Sequence, residues 1–313
     1  MTKVLISGGL GNQLFQFASG LYVADRSSLE LEFASRDLRR NNTGTPEILD
    51  FSLPDFVHWN YDKRTKLIRE KYRNLLLRIS SENSQTLKLL LRLVVVCFNF
   101  PFGLGKRRYF INNGVGFDSN ILKLSQNIFL VGYFQNHCIP SNSRVLNRLR
   151  ELAPTHTSDS LDRLILEALS VRPLIVHVRL TDYRKESGIG LLPASYYNAS
   201  LKCAFADREF KEIWLFSDEP LEALSFIPKE FQHLVKQNLD LDLSSAQTLH
   251  LMRYGAGYVI ANSTFSWWGA FLRFDEHAPV YAPTPWFLQG KSPKNISPPE
   301  WISVKADLVP PAE

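Results

Sequence analysis

Along the 313-residue chain, short apolar runs alternate with amphipathic stretches in the rhythm of an α/β protein. Lys3 to Ser7 predicts a first strand, and the amphipathic stretch that follows predicts a helix to about Asp25. Leu29 to Phe33 alternates apolar and polar residues as a half-buried strand does, and Asn41 to Pro46 reads as a loop. Tyr109 to Gly114 and Ile128 to Gln135 predict two more strands, the second with a wet end at Tyr133, Gln135 and Asn136. A polar stretch, Asn142 to Pro154, marks the passage from a first domain (1–150) to a second (151–290). There Leu161, Leu164, Ile165, Ala168 and Leu169 recur at helical spacing between Ser160 and Ser170. Pro173 then sets off Leu174-Ile175-Val176-His177-Val178, whose branched apolar residues predict a buried strand of a parallel sheet. Further helices are predicted at Ser195–Ala206 and Ala246–Tyr254, and strands at Glu212–Phe216, Gly257–Ala261 and Val280–Ala282. The remaining residues, 291–313, read as a Pro-rich tail packed along the surface.

Composition bounds the reading. With 45% hydrophobic and 12% aromatic residues the chain has ample core for two domains. The first strand and a glycine turn begin within ten residues, so neither a signal peptide nor an N-terminal anchor is expected, and the expected location is the cytosol. Cys97, Cys138 and Cys203 lie far apart without zinc or disulfide spacing. The net charge of +5 is unevenly spread: Lys63 to Arg108 holds twelve Lys or Arg against Glu70 and Glu82, leaving the rest of the chain acidic. That insert also carries the apolar run Leu89 to Val96, too short and too charged to span a bilayer, which needs about 20 apolar residues. Two readings stand: a helix pair with an apolar core side, or a peripheral contact with an anionic membrane face. Nucleic-acid binding is not expected, since the basic residues are not interleaved with aromatics.

Candidate chemistry gathers at strand ends. In open α/β sheets ligands collect outside the carboxyl ends of the strands, where His177, Arg179 and Asp182 would sit. A guanidinium can hold two phosphate oxygens and keeps its charge, although an ion pair of Arg179 with Asp182 would be a purely structural reading. Asn262-Ser263-Thr264-Phe265-Ser266 sets an amide and three hydroxyls at the start of a helix, a pattern suited to an anion. Trp267 and Trp268 follow a helix face with Phe265 and Phe271, which favours core beneath that site. After the first strand, Gly8-Gly9-Leu10-Gly11-Asn12-Gln13 has the geometry of a nucleotide or sugar cradle, with Gly9 and Gly11 letting a ligand approach the backbone. The third glycine of a dinucleotide fingerprint is missing, and Leu14 stands in its place. The one Asp-x-Asp, Asp240-Leu241-Asp242, alternates with leucines as an ordinary strand or loop edge would, so no metal is expected.

Four motifs carry a resemblance over nearly the whole chain: Gly8 to Ala18, His177-Val178-Arg179-Leu180-Thr181-Asp182-Tyr183, Phe216-Ser217-Asp218, and Ala261 to Ala270. In these the sequence resembles the bacterial α-1,2-fucosyltransferases of glycosyltransferase family 11. The resemblance implies a GT-B-like α/β fold, with two Rossmann-type domains facing across a cleft. It also implies a galactoside α-1,2-fucosyltransferase, of the hexosyltransferase class, with GDP-L-fucose as donor, inversion at the anomeric carbon, and neither metal nor cofactor. It further implies Arg179 on the diphosphate, nucleotide contacts at His177 and Asp218, phosphate contacts at Ser263 to Ser266, and an Asn12 loop reaching the fucose or the acceptor hydroxyl. Asp182 is the candidate general base, with the leaving phosphate as the alternative. The expected acceptor is a galactose-terminated glycan or lipid-linked oligosaccharide of a bacterial surface polysaccharide (O-antigen), met at the inner face of the inner membrane. One departure stands out: the family usually reads Arg-Gly where this chain has Leu180-Thr181, which removes a positive charge beside the diphosphate.

Other readings remain open at this level. The donor could be a related GDP-deoxysugar. Gly9-x-Gly11 after a strand, with Glu30 and Glu32 about 20 residues on, suggests a Rossmann-type NAD(P)-dependent oxidoreductase. A sugar-binding or membrane-surface protein without catalysis would leave Arg179 and Asn262 to Ser266 without a task.

Overall fold

The computed structural model describes residues 1–25, 27–42, 44–59, 74–75, 78–79, 86, 90, 108–112, 114–181, 183–184, 188–236, 243–289 and 292–310, with backbone alone for 35–37. The chain divides into two compact units, Met1–Leu152 with Pro293–Ile296, and Ala153–Ser292 with Ser297–Glu313. Each is a Rossmann-type α/β unit whose strand pairs are all parallel.

In the first unit the strands are β1 (Thr2–Gly8), β2 (Leu29–Leu38), β3 (Val57–Trp59), β4 (Arg108–Ile111) and β5 (Ile128–Val131), in the order β3-β2-β1-β5-β4. Helix α1 (Leu10–Ala24) follows β1 directly and is buried on nearly every side, which explains why its sequence is apolar almost all round. Gly20 of α1 lies so close to Val4 and Leu29 that a Cβ would meet them at 3.0–3.1 Å. From the basic insert, Ile79 is fully buried with Leu5, Ala34, Phe129 and Val131, and Leu75 packs against them. At these two residues the insert contributes core; its basic and apolar runs otherwise lie mostly outside the described residues. The polar passage expected at Asn142 to Pro154 contains a helix, α2 (Ser143–Arg150), because Val145 and Leu149 sit one turn apart and both bury.

In the second unit, α3 (Asp159–Val171) leads through Pro173 into β6 (Leu174–Val178). There follow α4 (Ala194–Asp207), β7 (Ile213–Ser217), α5 (Pro220–Ala223), β8 (Val235–Lys236), α6 (Ser245–Met252), β9 (Gly257–Val259), α7 (Thr264–Phe271), β10 (Val280–Thr284) and β11 (Ile302–Lys305). The sheet order, β11-β10-β9-β6-β7-β8, is the doubly wound order in which the chain goes out one way from β6 and then returns to its other side. Central strands β6 and β7 are buried at every position, as strands covered on both faces must be. The segment expected as a surface tail supplies the edge strand β11, parallel to β10 from Tyr281↔Ile302 to Thr284↔Lys305. Its Val304 and Ala306 join the core of this unit, which the proline content of the segment concealed.

Candidate active site

The topological switch of the second sheet falls between β6 and β9, and the predicted residues collect at the carboxyl ends there. Arg179 leaves β6, Asp218 leaves β7, and Asn262 and Ser263 leave β9 for the start of α7. The His177 and Phe265 rings lie 6.0 Å apart, and the Tyr183 hydroxyl donates to the Asn262 carbonyl at 2.9 Å, so the three strand ends form one edge. Under His177, the Tyr197 hydroxyl donates to its carbonyl at 3.3 Å. Burial, then the neighbouring Tyr196, Tyr183 and Asp218, holds Tyr197 protonated well above its ordinary range, so it stays a neutral donor.

Asp218 is the hub of this edge. Its carboxylate accepts the N–H of Leu180 and of Thr181, each at 2.9 Å, and the Thr181 hydroxyl as well. The Arg179 Nε lies 3.3 Å from the same carboxylate, both side chains being largely buried. Arg179 therefore pairs with Asp218; Asp182 lies outside the described residues. The resemblance gives Asp218 to the nucleotide; here its Oδ1 accepts from the Leu180 N–H, while its Oδ2 accepts from Thr181 and pairs with Arg179. Leu180 and Thr181 now have a physical account: Leu180 is buried in the core of the unit, and Thr181 adds a hydroxyl to the carboxylate that holds Arg179.

The Asn262 to Ser266 stretch does less by its side chains than its composition suggests. Asn262 is buried, and its amide donates to the carbonyls of Gly190 and Trp286 at 3.1 and 3.2 Å, tying two loops together. Ser263 caps the helix, its hydroxyl accepting from the Phe265 N–H at 3.4 Å. Ser266 is 0% exposed and donates to the Ser263 carbonyl at 3.3 Å, so the expectation of a ligand-facing hydroxyl is corrected at that residue. Thr264 and Phe265 are half-buried, and the Thr264 hydroxyl has no partner among the described residues. No acid stands in the first turn of α7, so what this helix offers an anion is its N-terminal N–H groups and the Thr264 hydroxyl. Trp267 and Trp268 are wholly buried, in agreement with the core reading.

The glycine loop of the first unit is built differently. The Leu10 N–H donates at 2.9 Å to the carboxylate of Glu47, itself 4% exposed, so the start of α1 already holds an anion. The expected nucleotide or sugar cradle is lined by the amides of Asn12, Gln13 and Gln16, with the Arg39 Nε 3.9 Å from where a Cβ on Gly9 would lie. Gln13 donates to the carbonyls of Gly8 and Arg39 and accepts from the Ile48 N–H, while Gln16 exchanges two hydrogen bonds with Ser7. These amides lock the loop. The glycine the turn requires is Gly8, with φ +74° and a would-be Cβ 2.9 Å from the Asn12 Nδ2. Asn12 is half-buried, and its Oδ1 accepts from the Gln135 Nε2 at 2.9 Å, across the switch point between β1 and β5. Glu47 escapes a reading of the sequence because nothing local marks a carboxylate that caps a helix 37 residues earlier. Gln135 is visible there only as the wet end of β5.

The strand edge of the second unit sets the Arg179–Asp218 pair and the start of α7 at the switch point of a Rossmann-type sheet, and the comparisons with known proteins support the glycosyltransferase class. No family model matches the chain. It is 26% identical over 328 residues to the O-antigen biosynthesis glycosyltransferase WbnK of Escherichia coli, covering 96% of this chain and 99% of that one. It is 22% identical over 313 residues to an alpha-1,2-colitosyltransferase of Escherichia coli, covering 96% and 97%. Among solved structures, it is similar to the E. coli ADP-heptose heptosyltransferase II at TM-score 0.47 and 14% identity, over 97% of this chain and 89% of that one. POFUT1 in complex with GDP-fucose is similar at TM-score 0.45 and 13% identity, over 98% of each chain.

Proposed function

We propose that this chain transfers L-fucose from GDP-L-fucose to the 2-hydroxyl of a terminal β-galactosyl residue, with inversion and without a metal, in the assembly of a bacterial surface polysaccharide. The observation that carries the proposal is Arg179, anchored through Nε on Asp218 at the end of β6, whose neighbour β9 leads into α7. In the proposed step the acceptor oxygen attacks the anomeric carbon as its bond to the β-phosphate oxygen breaks, and GDP leaves with the bonding electrons. Arg179 and the α7 N–H groups meet the charge developing on that diphosphate, the task a divalent cation performs in other transferases. The hydroxyl proton passes to a base, for which Asp182 is the candidate and the leaving phosphate the alternative. His177, Ser263, Thr264 and Phe265 are the proposed nucleotide contacts, and Asn12 the contact to sugar.

Full-length similarity to an O-antigen glycosyltransferase supports the polysaccharide setting. A related GDP-deoxysugar is the second donor reading, favoured by the similarity to the colitosyltransferase. Peripheral attachment to the inner face of a membrane through the basic 63–108 segment belongs to the same proposal. Among the described residues no helix is long and apolar enough to cross a membrane. Liposome binding that survives neutralising Arg69, Lys71, Arg73 and Arg78 would remove the attachment.

The test is GDP release from GDP-fucose in EDTA, with lactose and other β-galactosides as acceptors, for the wild type and Arg179→Ala. Acceptor-dependent release that persists in EDTA and collapses in the variant supports donor, metal independence and Arg179 together. GDP binding without release under any acceptor would mean that the sugar or acceptor is wrong. Absence of GDP binding would return the chain to the oxidoreductase and binding-module readings.

A further inference from the structure

The amide pair in the first unit has a direction. Asn12 and Gln135 share one hydrogen bond, from the Gln135 Nε2 to the Asn12 Oδ1 at 2.9 Å. Two side-chain amides joined by one such bond leave one carbonyl and one N–H₂ for other partners, and the surroundings decide which residue keeps which. Gln135 is 7% exposed, and its Oε1 is buried without a partner. The Asn12 Nδ2 lies over Gly8, has no acceptor among the described residues, and is not among the buried orphaned atoms, so solvent reaches it. Reversing both amides would bury an unpartnered N–H₂ in place of an unpartnered carbonyl oxygen, which is the costlier arrangement because two donors go unmet. The direction shown is the one burial selects.

Gln135 is held for this task. Its own N–H donates to the Val115 carbonyl at 2.8 Å, and the residue before it, Phe134, turns the chain out of β5 with φ +53° while its ring stacks on Phe110. A left-handed phenylalanine is strained and persists only where packing over-determines it. The result is a buried glutamine aimed back across the sheet at α1.

From this geometry we infer that Gln135 is a positioning residue that fixes Asn12 as a hydrogen-bond donor, so that Asn12 meets a lone pair of a bound sugar oxygen. This deepens the proposed transfer reaction and rests on it for the identity of the ligand. Because the Asn12 carbonyl is already committed to Gln135, Asn12 is not the group that receives the acceptor hydroxyl proton. The sugar group recognised here is a hydroxyl or ring oxygen acting as acceptor of the bond.

Gln135→Glu tests the direction, because an ionised carboxylate only accepts. Asn12 must then turn its N–H₂ inward and present its carbonyl to the sugar. The expected result is a fall in kcat/KM on the order of tenfold to a hundredfold at pH 7.5, the loss of one hydrogen bond and its replacement by a repulsive contact. Relative to wild type, activity should recover at lower pH, where the introduced carboxyl is protonated and donates to the Asn12 Oδ1 again. Gln135→Met, which only unties Asn12, should show a smaller loss with no pH dependence of its own. Equal losses in both variants at every pH, or no loss in either, would overturn the inference. A second measurement does not depend on the donor. In the ¹H–¹⁵N spectrum of the wild-type protein, assigned with the two variants and Asn12→Asp, the Gln135 side-chain amide should be slowed in hydrogen exchange and that of Asn12 should exchange at the rate of a solvated amide. Protection of Asn12 in place of Gln135 would refute the direction outright. If the wild type fails to turn over any GDP-sugar, the transferase reading fails, and the exchange result still decides the role of Gln135.

Discussion

Replacing Asp218 by Asn separates two roles that the sequence alone leaves merged. As the aspartate, residue 218 accepts two backbone N–H groups at 2.9 Å and the Thr181 hydroxyl, and forms an ion pair with the Arg179 Nε at 3.3 Å. The asparagine keeps one good acceptor, enough for one backbone N–H. Its N–H₂ then faces a backbone N–H and the Arg179 guanidinium, which cannot accept from it, and only the Thr181 hydroxyl can turn to do so. Hydrogen bonds to a charged group contribute about 1.5–3 kcal/mol each. The Arg179 pair is an ion pair, with side chains 14% and 16% exposed, and contributes about 1 kcal/mol. Losing that pair and one backbone contact gives about 3 kcal/mol, a factor on the order of 100 in the population of the set arrangement. Calorimetric titration with GDP across wild type, Asp218→Asn, Arg179→Ala and the double variant reads the consequence. If Asp218 works through Arg179, either single change weakens GDP strongly and the double is little worse than Arg179→Ala, a coupling of about 2 kcal/mol. Additive losses, with Asp218→Asn costing its full factor in the Arg179→Ala background, would refute the reasoning and return Asp218 to direct contact with the nucleotide. Thr181→Val should show a smaller loss of the same kind, restored in Thr181→Ser.

The alternation of apolar runs and amphipathic stretches was enough to read two parallel-sheet α/β units, because central parallel strands must be apolar on both faces and the runs at 174–178 and 213–217 leave no other assignment. What escaped was short or edge-lying. β3, β8 and β11 are 3, 2 and 4 residues long and take their conformation from neighbours they pair with, so their own sequences carry little periodicity. The candidate edge was legible as residue types at strand ends, since Arg179, Asp218 and Ser263 follow apolar strands directly. Their division of labour was not. That Asp218 binds Arg179 and the 180–181 backbone and that Glu47 fills the start of α1 are settled by which donors happen to lie across the sheet. Sequence spacing does not encode such pairings between elements far apart in the chain.

Other perturbations follow from buried contacts. Glu47→Leu should cost about 2 kcal/mol in urea unfolding, because it strands the buried Leu10 N–H, while Glu47→Gln, which still accepts, should cost about 1. Equal costs would show that the carboxylate is not acting as the acceptor at the helix start. Gly255→Ala should destabilise by about 1–3 kcal/mol through overpacking, since its Cβ would lie 2.4 Å from the Ile175 Cγ1 in the central strand; an unchanged unfolding midpoint would contradict that crowding. A pH effect comes from His250, whose pKa is lowered to about 4 by burial and by the Arg253 guanidinium. The Arg253 Nη1 lies 3.3 Å from the His250 Nδ1, which can accept from it only while neutral. With the folded pKa below the unfolded value, the unfolded state binds the proton first as pH falls. The contribution of His250 is therefore present above the unfolded value of 6.5 and is lost between there and about 4. Partial exposure reduces the full linkage to about 1–2 kcal/mol. His250→Gln should narrow the stability difference between pH 7.5 and pH 4.5 by that amount, and an unchanged difference would mean that the imidazole titrates alike in both states.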